Sequence, residues 1–258
     1  MKKCIRIGYI DLSFHAAAAA LVVDVFEKYG WQVELCAAPH QEMFTRYGRG
    51  KVDMLVSAWL PASHGDYLAP YLANTVKLTV LYRPYCIWGV PDYVPESDVA
   101  SVHDLLKPEV RAKMEKRIQG INPGAGISRF SRQMMTEYRL DGAGYHFENG
   151  SEEACFGAFE QAVSERRWVV VPLWHPQFLH HRHTIRALDE PYGLLGGEDE
   201  ATLIASKSIV AAFSPALLED LSQLAPGNSA ISELDYLLCR EKKTPAQAVA
   251  LLKRHHLQ

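Results

Sequence analysis

The segment Trp168–Pro191 holds a tryptophan where open α/β folds bind ligands. Val169–Val171 are a short β-branched run, and Pro172 is predicted to end that strand. Trp174 is then expected just beyond the carboxyl end of a sheet, the edge at which such folds place their ligands. A large ring there either covers the core or forms a wall of a binding site, and a second, similar ring elsewhere would favour the binding site.

Trp59 is a candidate for that second ring. It follows the predicted strand Val52–Ala58, Pro61 stiffens the loop behind it, and His64 comes shortly afterwards. Two arrangements fit this spacing. The first is an aromatic wall with His64 as a polar contact, and the second is a core tryptophan with a surface histidine.

The glycine-containing stretch Gly120–Arg129 (GINPGAGISR) joins a predicted strand to a predicted helix. Glycines let a ligand approach the backbone, and a helix N-terminus offers N–H groups and a partial positive charge. The stretch therefore predicts a site for a carboxylate or phosphate, although many such turns need glycine only to turn. It is not a P-loop, because no Gly-Lys-Ser/Thr follows. The helix start at Ser13–Phe14 is a second, equally unspecific, N-terminus.

Catalytic and metal-binding patterns are weak in this chain. The histidines of one segment suggest zinc or copper, but no carboxylate or cysteine shares that segment and HExxH does not occur. These histidines are His175, His180, His181 and His183. Nucleophile elbows, kinase motifs and the GxGxxG fingerprint are also missing. We therefore predict neither a metal, nor a cofactor, nor an enzyme, with a metal-using enzyme kept as an alternative.

Composition excludes other classes of protein. The chain has 258 residues and a formal net charge of −3, which argues against a nucleic-acid-binding face. No apolar run approaches the ~20 residues of a membrane span. The five cysteines are scattered without a CxxC pair, so we expect free thiols. Arg6 stands where the apolar part of a signal peptide would be, so no export signal is predicted from the sequence.

The order of elements predicts an α/β fold. The pattern begins β-α-β-α-β, which implies parallel strands flanked by helices. Ser13 and Ser128 are predicted N-caps of the helices 14–29 and 129–138. The pattern restarts at Ser101, and Gly/Pro-rich crossovers lie near 83–92 and 188–198. We expect two lobes with a ligand cleft between them: residues 1–86 and 189–258 form the first lobe and residues 87–188 form the second.

Several motifs together resemble the OpuAC-like substrate-binding proteins of ABC transporters for glycine betaine, proline betaine, choline and carnitine. They cover most of the chain: VDMLVSAWLPASH, VPDYVP, GINPGAGISR followed by TEYRL, VVVPLWHPQFL followed by IRALDEP, and GGEDEA. The resemblance implies a two-lobed type II periplasmic-binding-protein-like fold, in which each lobe is a mixed sheet flanked by helices. It also implies an aromatic cage, because a trimethylammonium group is held by cation–π contacts.

The same resemblance implies roles for particular residues. Trp59 and Trp174 would be cage walls, and His64 with the backbone of Gly126 and Ile127 would hold the anionic end of the solute. Some relatives carry a further tryptophan in the glycine turn, where this chain has Ala125. The candidates to complete the cage are Phe14, His15 and Tyr85.

Two charged residues are further candidates for ligand contact. Asp11, at the end of the first strand, would pair with a cation, and Arg129 would grip a carboxylate with its planar guanidinium. Each is equally consistent with an ordinary helix cap or a solvated helix face.

The resemblance implies the solute receptor of an ABC importer: a monomer with a permease as its partner, in the periplasm or at the cell surface. The missing export signal leaves a cytoplasmic location open. The alternative function is a cytosolic sensor or regulatory protein that binds a different small, amino-acid-like solute.

Overall fold

The structure is a computed structural model, and it describes residues 3–256. The described chain forms two compact units. The first contains the residues up to Pro84, the short segment Pro176–Phe178, and the chain from Asp199 onward; the second contains Tyr85–His175 and Leu179–Glu198. Among residues 3–256, no helix combines the length and the apolar character needed to cross a membrane.

The strands and helices are numbered in chain order. The strands are β1 Cys4–Ile10, β2 Gln32–Ala38, β3 Met54–Leu60, β4 Thr75–Tyr82, β5 Tyr85–Pro91, β6 Arg117–Gln119, β7 His146–Glu148, β8 Val171–His175, β9 Ile185–Ala187 and β10 Glu200–Ser206. The α-helices are α1 Ser13–Lys28, α2 His40–Gly48, α3 Gly65–Leu68, α4 Pro108–Lys113, α5 Gly126–Glu137, α6 Glu152–Ser164, α7 Leu179–Arg182, α8 Lys207–Val210, α9 Pro215–Ser222, α10 Gly227–Cys239 and α11 Pro245–His256. Short 3-10 helices span Ala69–Asn74, Val102–Leu106 and Asp141–Ala143.

The first unit is built on a mixed five-stranded sheet in the order β2-β1-β3-β10-β4. β1 pairs in parallel with β2 and β3, as the opening β-α-β-α-β pattern predicts, whereas β10 pairs antiparallel with β3 and β4. Adjacent residues of β1 point to opposite faces. Gly8 lies against Met43 of α2, and Tyr9 shares a cavity wall with α1 and α11. Helices therefore cover both faces of this sheet.

The second unit contains an antiparallel sheet in the order β8-β5-β9 and a separate parallel pair, β6-β7. Its core includes Trp88 on β5, which is fully buried, and the Trp88 indole N–H donates to the hydroxyl of Ser131 on α5 at 2.9 Å. This bond joins α5 to the central strand. The helix that carries the glycine turn is thus fixed to the sheet that carries Trp174.

Pro172 does not end the valine strand, contrary to the prediction. The strand runs Val171–His175, so Trp174 lies inside it, opposite Cys86, and not beyond its end. Pro172 is tolerated because β8 is an edge strand of its sheet, where a missing backbone N–H interrupts no inner ladder.

The two predicted serine N-caps are also wrong. α1 is preceded by Leu12 and α5 by Ala125 as the cap residues, and neither serine caps its helix. Ser13 instead interacts with the buried carboxylate of Asp235 and lowers its pKa, and the Ser128 hydroxyl donates to the carbonyl of Ile121 at 3.1 Å. Both serines face tertiary neighbours, which take precedence over the local cap.

The predicted division into residues 1–86, 87–188 and 189–258 stays a prediction, and its ends at 1–2 and 257–258 lie outside the described residues. Residues 189–198 belong to the second compact unit. The reason is local: the Asp189 N–H donates to the carbonyl of Ala100, and the Tyr138 hydroxyl donates to the carboxylate of Glu190, at 2.9 and 2.5 Å. These bonds hold the segment after β9 to the second unit.

Candidate functional site

Trp59 lies in a cluster of rings in the first unit. Its ring centroid is 5.2 Å from that of Phe14, 5.7 Å from that of His15 and 6.1 Å from that of His64. β3 supplies the tryptophan, the first turn of α1 supplies Phe14 and His15, and the residue before α3 supplies His64. All four side chains are buried, and Trp59 itself is 6% exposed. A surface position for His64, which was one of the two arrangements open from the sequence, is therefore wrong.

Trp59 and His64 are joined by two hydrogen bonds. The Trp59 backbone N–H donates to Nδ1 of His64 at 2.9 Å, and the His64 backbone N–H donates to the Trp59 carbonyl at 2.8 Å. An Nδ1 that accepts from a backbone N–H carries no proton, so the ring proton of His64 is on Nε2. The residues from Trp59 to His64 thus form a turn that two hydrogen bonds close, and this turn carries the Nε2–H donor of His64.

The loop inside that turn is held by one carboxylate. Asp199, which is buried just before β10, accepts the backbone N–H groups of Ala62 and Ser63 at 2.7 and 3.0 Å. A carboxylate that accepts two amides makes strong, charge-assisted bonds. The return of the chain to the first unit therefore fixes the loop that carries His64.

The indole of Trp59 is oriented by Tyr82. Its Nε1–H donates to the Tyr82 hydroxyl at 3.0 Å, and that hydroxyl also bonds to the hydroxyl of Ser57. Burial raises the pKa of Tyr82, so the phenol stays neutral. Ser57 has φ of +66° and lies where the β3–β10 register shifts. Such a bulge re-aims the neighbouring side chains, and here the next side chain but one is Trp59.

His15 is a neutral ring in the same cluster. It is 1% exposed, and burial, with a contribution from the nearby His40, lowers its pKa well below the ordinary value of 6.5. His40 also contacts the ring of His64, with centroids 5.3 Å apart. A neutral imidazole beside Trp59 adds no positive charge that would repel a cationic ligand.

Trp174 forms a separate aromatic group in the second unit. It is buried, its ring lies 5.8 Å from that of Phe156 on α6, and its carbonyl lies 3.1 Å from Nε2 of His180. Burial, together with the neighbouring His175, lowers the pKa of His180 to about 4. The histidine behind this strand is therefore neutral at ordinary pH.

Tyr85 does not share a face of the sheet with Trp174. Tyr85 is paired with His175, and the two rings are stacked with centroids 5.4 Å apart. Because successive residues of a strand point to opposite faces, Trp174 points away from this stack. The role of Tyr85 as a cage wall stays a prediction.

The glycine turn leads into α5 as the sequence suggests, but Gly126 and not Ser128 is the first helical residue. Gly126 and Ile127 are buried, and the cap residue Ala125 offers no side-chain acceptor to the first amides. Nη1 of Arg129 donates to the carbonyl of Gly124 at 2.8 Å. Arg129 thus fastens the turn, and its predicted grip on a carboxylate stays a prediction.

The remaining candidates lie apart from these groups. Asp11 is exposed directly after β1. A cavity of about 450 Å³ in the first unit is lined by α1, β2, α10 and α11, with Ala20, Leu35, Val249 and Lys253 among its walls. None of the predicted ligand residues lines this cavity, so the volume of a cavity does not by itself identify the predicted ligand site. Within residues 3–256, no three His, Cys, Asp or Glu side chains are grouped to hold a metal ion.

A family model described as the substrate-binding domain of an ABC-type glycine betaine transport system matches residues 3–251. The chain belongs to this family. The resemblance drawn from the motifs is therefore confirmed, and the family is one of solute-binding domains rather than enzymes.

One curated relative of this substrate-binding domain is distant in sequence. The glycine betaine/carnitine transport binding protein GbuC of Listeria monocytogenes serotype 1/2a (strain 10403S) is 24% identical over 103 residues. That match covers 40% of this chain and 34% of GbuC, about a third of the length of the relative.

Solved structures match over almost the whole chain. Lactococcal OpuAC, in a closed-liganded conformation complexed with glycine betaine, has a TM-score of 0.84 at 21% identity, covering 99% of this chain and 97% of that one. The glycine betaine/L-proline-binding protein ProX of Borrelia burgdorferi has a TM-score of 0.84 at 24% identity, covering 97% and 92%. These likenesses confirm the expected type II periplasmic-binding-protein fold class.

Sequence reasoning missed several residues of the two aromatic groups. Tyr82 and Ser57 orient the Trp59 indole, and Phe156 packs on Trp174. Tyr82 ends β4 and Phe156 lies on α6, but nothing in the sequence spacing of these residues indicates a long-range partner. The positive φ of Ser57 has no signature in the sequence, because serine gives no signal for it.

Proposed function

We propose that this substrate-binding domain is the solute receptor of an ABC importer and binds a small methylated-ammonium solute such as glycine betaine or choline. The observation that carries the proposal is the set of rings around Trp59, with Phe14, His15 and His64 all within 6.1 Å of it by centroid. A quaternary ammonium donates no hydrogen bond, so aromatic faces are the groups that recognise it.

The polar atoms of Trp59 support this assignment. Its backbone N–H and carbonyl are bonded to His64, and its indole N–H is bonded to Tyr82. What the residue offers a solute is therefore its π face. A π face attracts a cation through the ring quadrupole, and a desolvated contact of this kind is worth about 2 kcal/mol.

The anionic end of a betaine needs hydrogen-bond donors. His64 carries its ring proton on Nε2 and is one such donor. The first amides of α5, at Gly126 and Ile127, are a second kind, because a helix N-terminus attracts a carboxylate. In the second unit Trp174 is the proposed further aromatic contact.

The family indicates a partner and a location. Substrate-binding domains of ABC importers act with a membrane permease, so we propose a permease as the partner, an extracytoplasmic location and a monomeric receptor. Cell fractionation tests the location: recovery with the periplasmic or surface fraction supports the receptor role, and recovery in the cytosol favours the sensor alternative.

The test of the ligand class is calorimetric titration with glycine betaine, choline, carnitine and proline betaine, with glycine as the matched control that lacks the methyl groups. We expect a dissociation constant on the order of micromolar for at least one methylated solute. Glycine should give no heat of binding. If the folded protein binds none of the four methylated solutes, the ligand class is wrong although the family stands.

A further inference from the structure

One polar atom in the Trp59 cluster has no partner among the residues that the structure describes. It is Nδ1 of His15, a side chain that is 1% exposed. The His15 ring lies 4.3 Å from that of Phe14, 5.7 Å from that of Trp59 and 6.2 Å from that of His64, measured between centroids. The unsatisfied nitrogen is therefore among the rings proposed to hold the ammonium group.

Two polar atoms beside this nitrogen have hydrogen-bond partners within the protein. The Trp59 indole N–H bonds to Tyr82, and Nδ1 of His64 accepts from the Trp59 backbone. Buried polar atoms in folded proteins nearly always have a partner, so an exception calls for a specific explanation. A solute in contact with Trp59 is one source of that partner.

The solute's ammonium group cannot be the partner. A quaternary nitrogen has neither a polar hydrogen nor a lone pair, so it leaves Nδ1 of His15 unsatisfied. A carboxylate satisfies Nδ1 only in the tautomer that carries a proton there, whereas a hydroxyl group both donates and accepts. A hydroxyl therefore pairs with His15 in either neutral tautomer.

Resting on the proposed function, we propose that His15 selects a solute with a hydroxyl group on the carbon chain beside its quaternary ammonium. Choline and carnitine both carry a hydroxyl two carbons from the nitrogen, within reach of a ring that contacts Trp59. Fully methylated solutes without this hydroxyl fit the aromatic surfaces, but they pair with the imidazole nitrogen only through a carboxylate and only in one of the two neutral tautomers. His15 then determines which methylated solute is preferred, while the aromatic rings recognise the cationic group.

The experiment compares solutes that differ only in the hydroxyl. Carnitine is paired with γ-butyrobetaine, and choline is paired with n-propyltrimethylammonium, in which a methyl group replaces the hydroxyl. By calorimetry we expect the wild-type protein to favour the hydroxyl-bearing member by about tenfold or more, since a site built to bond a hydroxyl rejects analogues that lack it. Equal binding of both members in each pair would overturn the proposal.

Two variants assign the effect to His15. His15→Phe should abolish the preference while binding the solutes without a hydroxyl at least as well as the wild type. Phe14→Leu, the matched control in the same cluster, should weaken both members equally and keep the preference. If His15→Phe keeps the preference, His15 is not its source.

A wild-type measurement makes the test independent of how the variants fold. The ¹⁵N chemical shift of His15 Nδ1 should move further on binding choline than on binding n-propyltrimethylammonium, because of these two solutes only choline supplies a hydrogen bond. The same shift with both solutes would count against the proposal. Binding of glycine betaine without any hydroxyl preference would refute this inference and keep the proposed function, whereas no binding by any methylated solute would refute both.

Discussion

Trp59 shows how a buried residue is prepared for contact with a cation. Hydrogen bonds to His64 and Tyr82 use its backbone and indole polar groups, and the Ser57 bulge sets the direction of the strand that carries it. These bonds fix the ring without occupying its face. Tyr82 and the Ser57 bulge thus orient the ring, whereas His64 both holds the Trp59 backbone and is a proposed donor to the solute.

We predict that Trp59→Leu weakens binding of the preferred methylated solute by at least about tenfold, the loss of one cation–π contact. Trp31→Leu is the matched control, because Trp31 is 7% exposed and packs on Phe26 and Phe213 in the same unit. Both variants should lose stability by roughly 2–4 kcal/mol, the cost of truncating a large buried side chain.

Calorimetry measures the two affinities, and circular dichroism shows whether each variant is folded. Trp31→Leu should bind within about twofold of the wild type, since a change of that size is below 0.5 kcal/mol. Equal losses in the two variants would mean that Trp59 acts through stability and not through contact with the solute.

At the scale of elements, Asp235 on α10 holds three parts of the first unit together. Its carboxylate accepts the backbone N–H of Phe178 at 2.9 Å, accepts from the thiol of Cys239 at 3.4 Å, and interacts with Ser13 at the start of α1. The start of α1 is also the source of Phe14 and His15. One buried acid therefore joins the site helix to the short segment Pro176–Phe178.

The pH dependence of stability reports on this acid. Burial raises the pKa of Asp235 to about 6, although its interactions with Ser13 and with the Phe178 N–H act to lower this pKa. Unfolded, its pKa is about 3.9. Between about pH 4 and 6 the folded protein keeps a proton that the unfolded chain has lost, so this group's contribution to stability falls as pH rises through that window.

We predict that Asp235→Asn removes this dependence. The free energy of unfolding of the variant minus that of the wild type should be about 2–3 kcal/mol larger at pH 7 than at pH 4. This value is the difference between the folded and unfolded pKa of Asp235 multiplied by about 1.4 kcal/mol per pKa unit. Urea unfolding at both pH values measures it. Asp220→Asn is the matched control: Lys28 lowers the pKa of Asp220, so the pairing is lost only as pH falls below about 4 and the stability of this variant relative to wild type should stay nearly constant between pH 4 and pH 7. A parallel response of the two variants would contradict the assignment.

The sequence predicts some elements well because their signals are local. The opening β-α-β-α-β pattern follows from periodicity, and β1 does pair in parallel with β2 and β3. Ser151 caps α6 by accepting the N–H of Ala154. Ser13 and Ser128 are serines too, but Ser13 interacts with Asp235 and the Ser128 hydroxyl donates to the carbonyl of Ile121. A local pattern cannot indicate which serine has a distant partner, just as it cannot indicate that Pro172 lies in an edge strand.

At the scale of the whole molecule, each unit is built from chain segments that are distant in sequence. β10 completes the first sheet by pairing with β3 and β4, and the segment after β9 is held to the second unit by Asp189 and Glu190. A Gly/Pro-rich loop predicts where the chain crosses between units. It does not predict to which unit the residues on either side of the crossover bind. The two-lobed architecture was therefore predictable, whereas the residue at which the chain changes unit was not.

The two tryptophans lie in different units, and the sequence predicts that one solute contacts both. Trp59 has its ring cluster and Trp174 has Phe156, with α5 packed against the Trp174 strand. If one solute contacts both rings, calorimetry of the wild type gives one site per chain. Either single leucine variant should then weaken that one site by at least about tenfold, through the loss of a desolvated cation–π contact.

Trp168→Leu is the control for Trp174→Leu, because Trp168 is a half-buried tryptophan of the second unit that lies under the ammonium of Lys113 at 4.5 Å. It should leave the affinity unchanged. The double variant Trp59→Leu/Trp174→Leu should show no measurable binding, since it removes both aromatic contacts with the same bound solute and the two losses of binding free energy add. Two binding events in the wild type, each abolished by one of the variants, would instead mean two independent aromatic sites. Unchanged affinity in Trp174→Leu would confine recognition to the first unit, where Phe14, His15 and His64 would have to supply it.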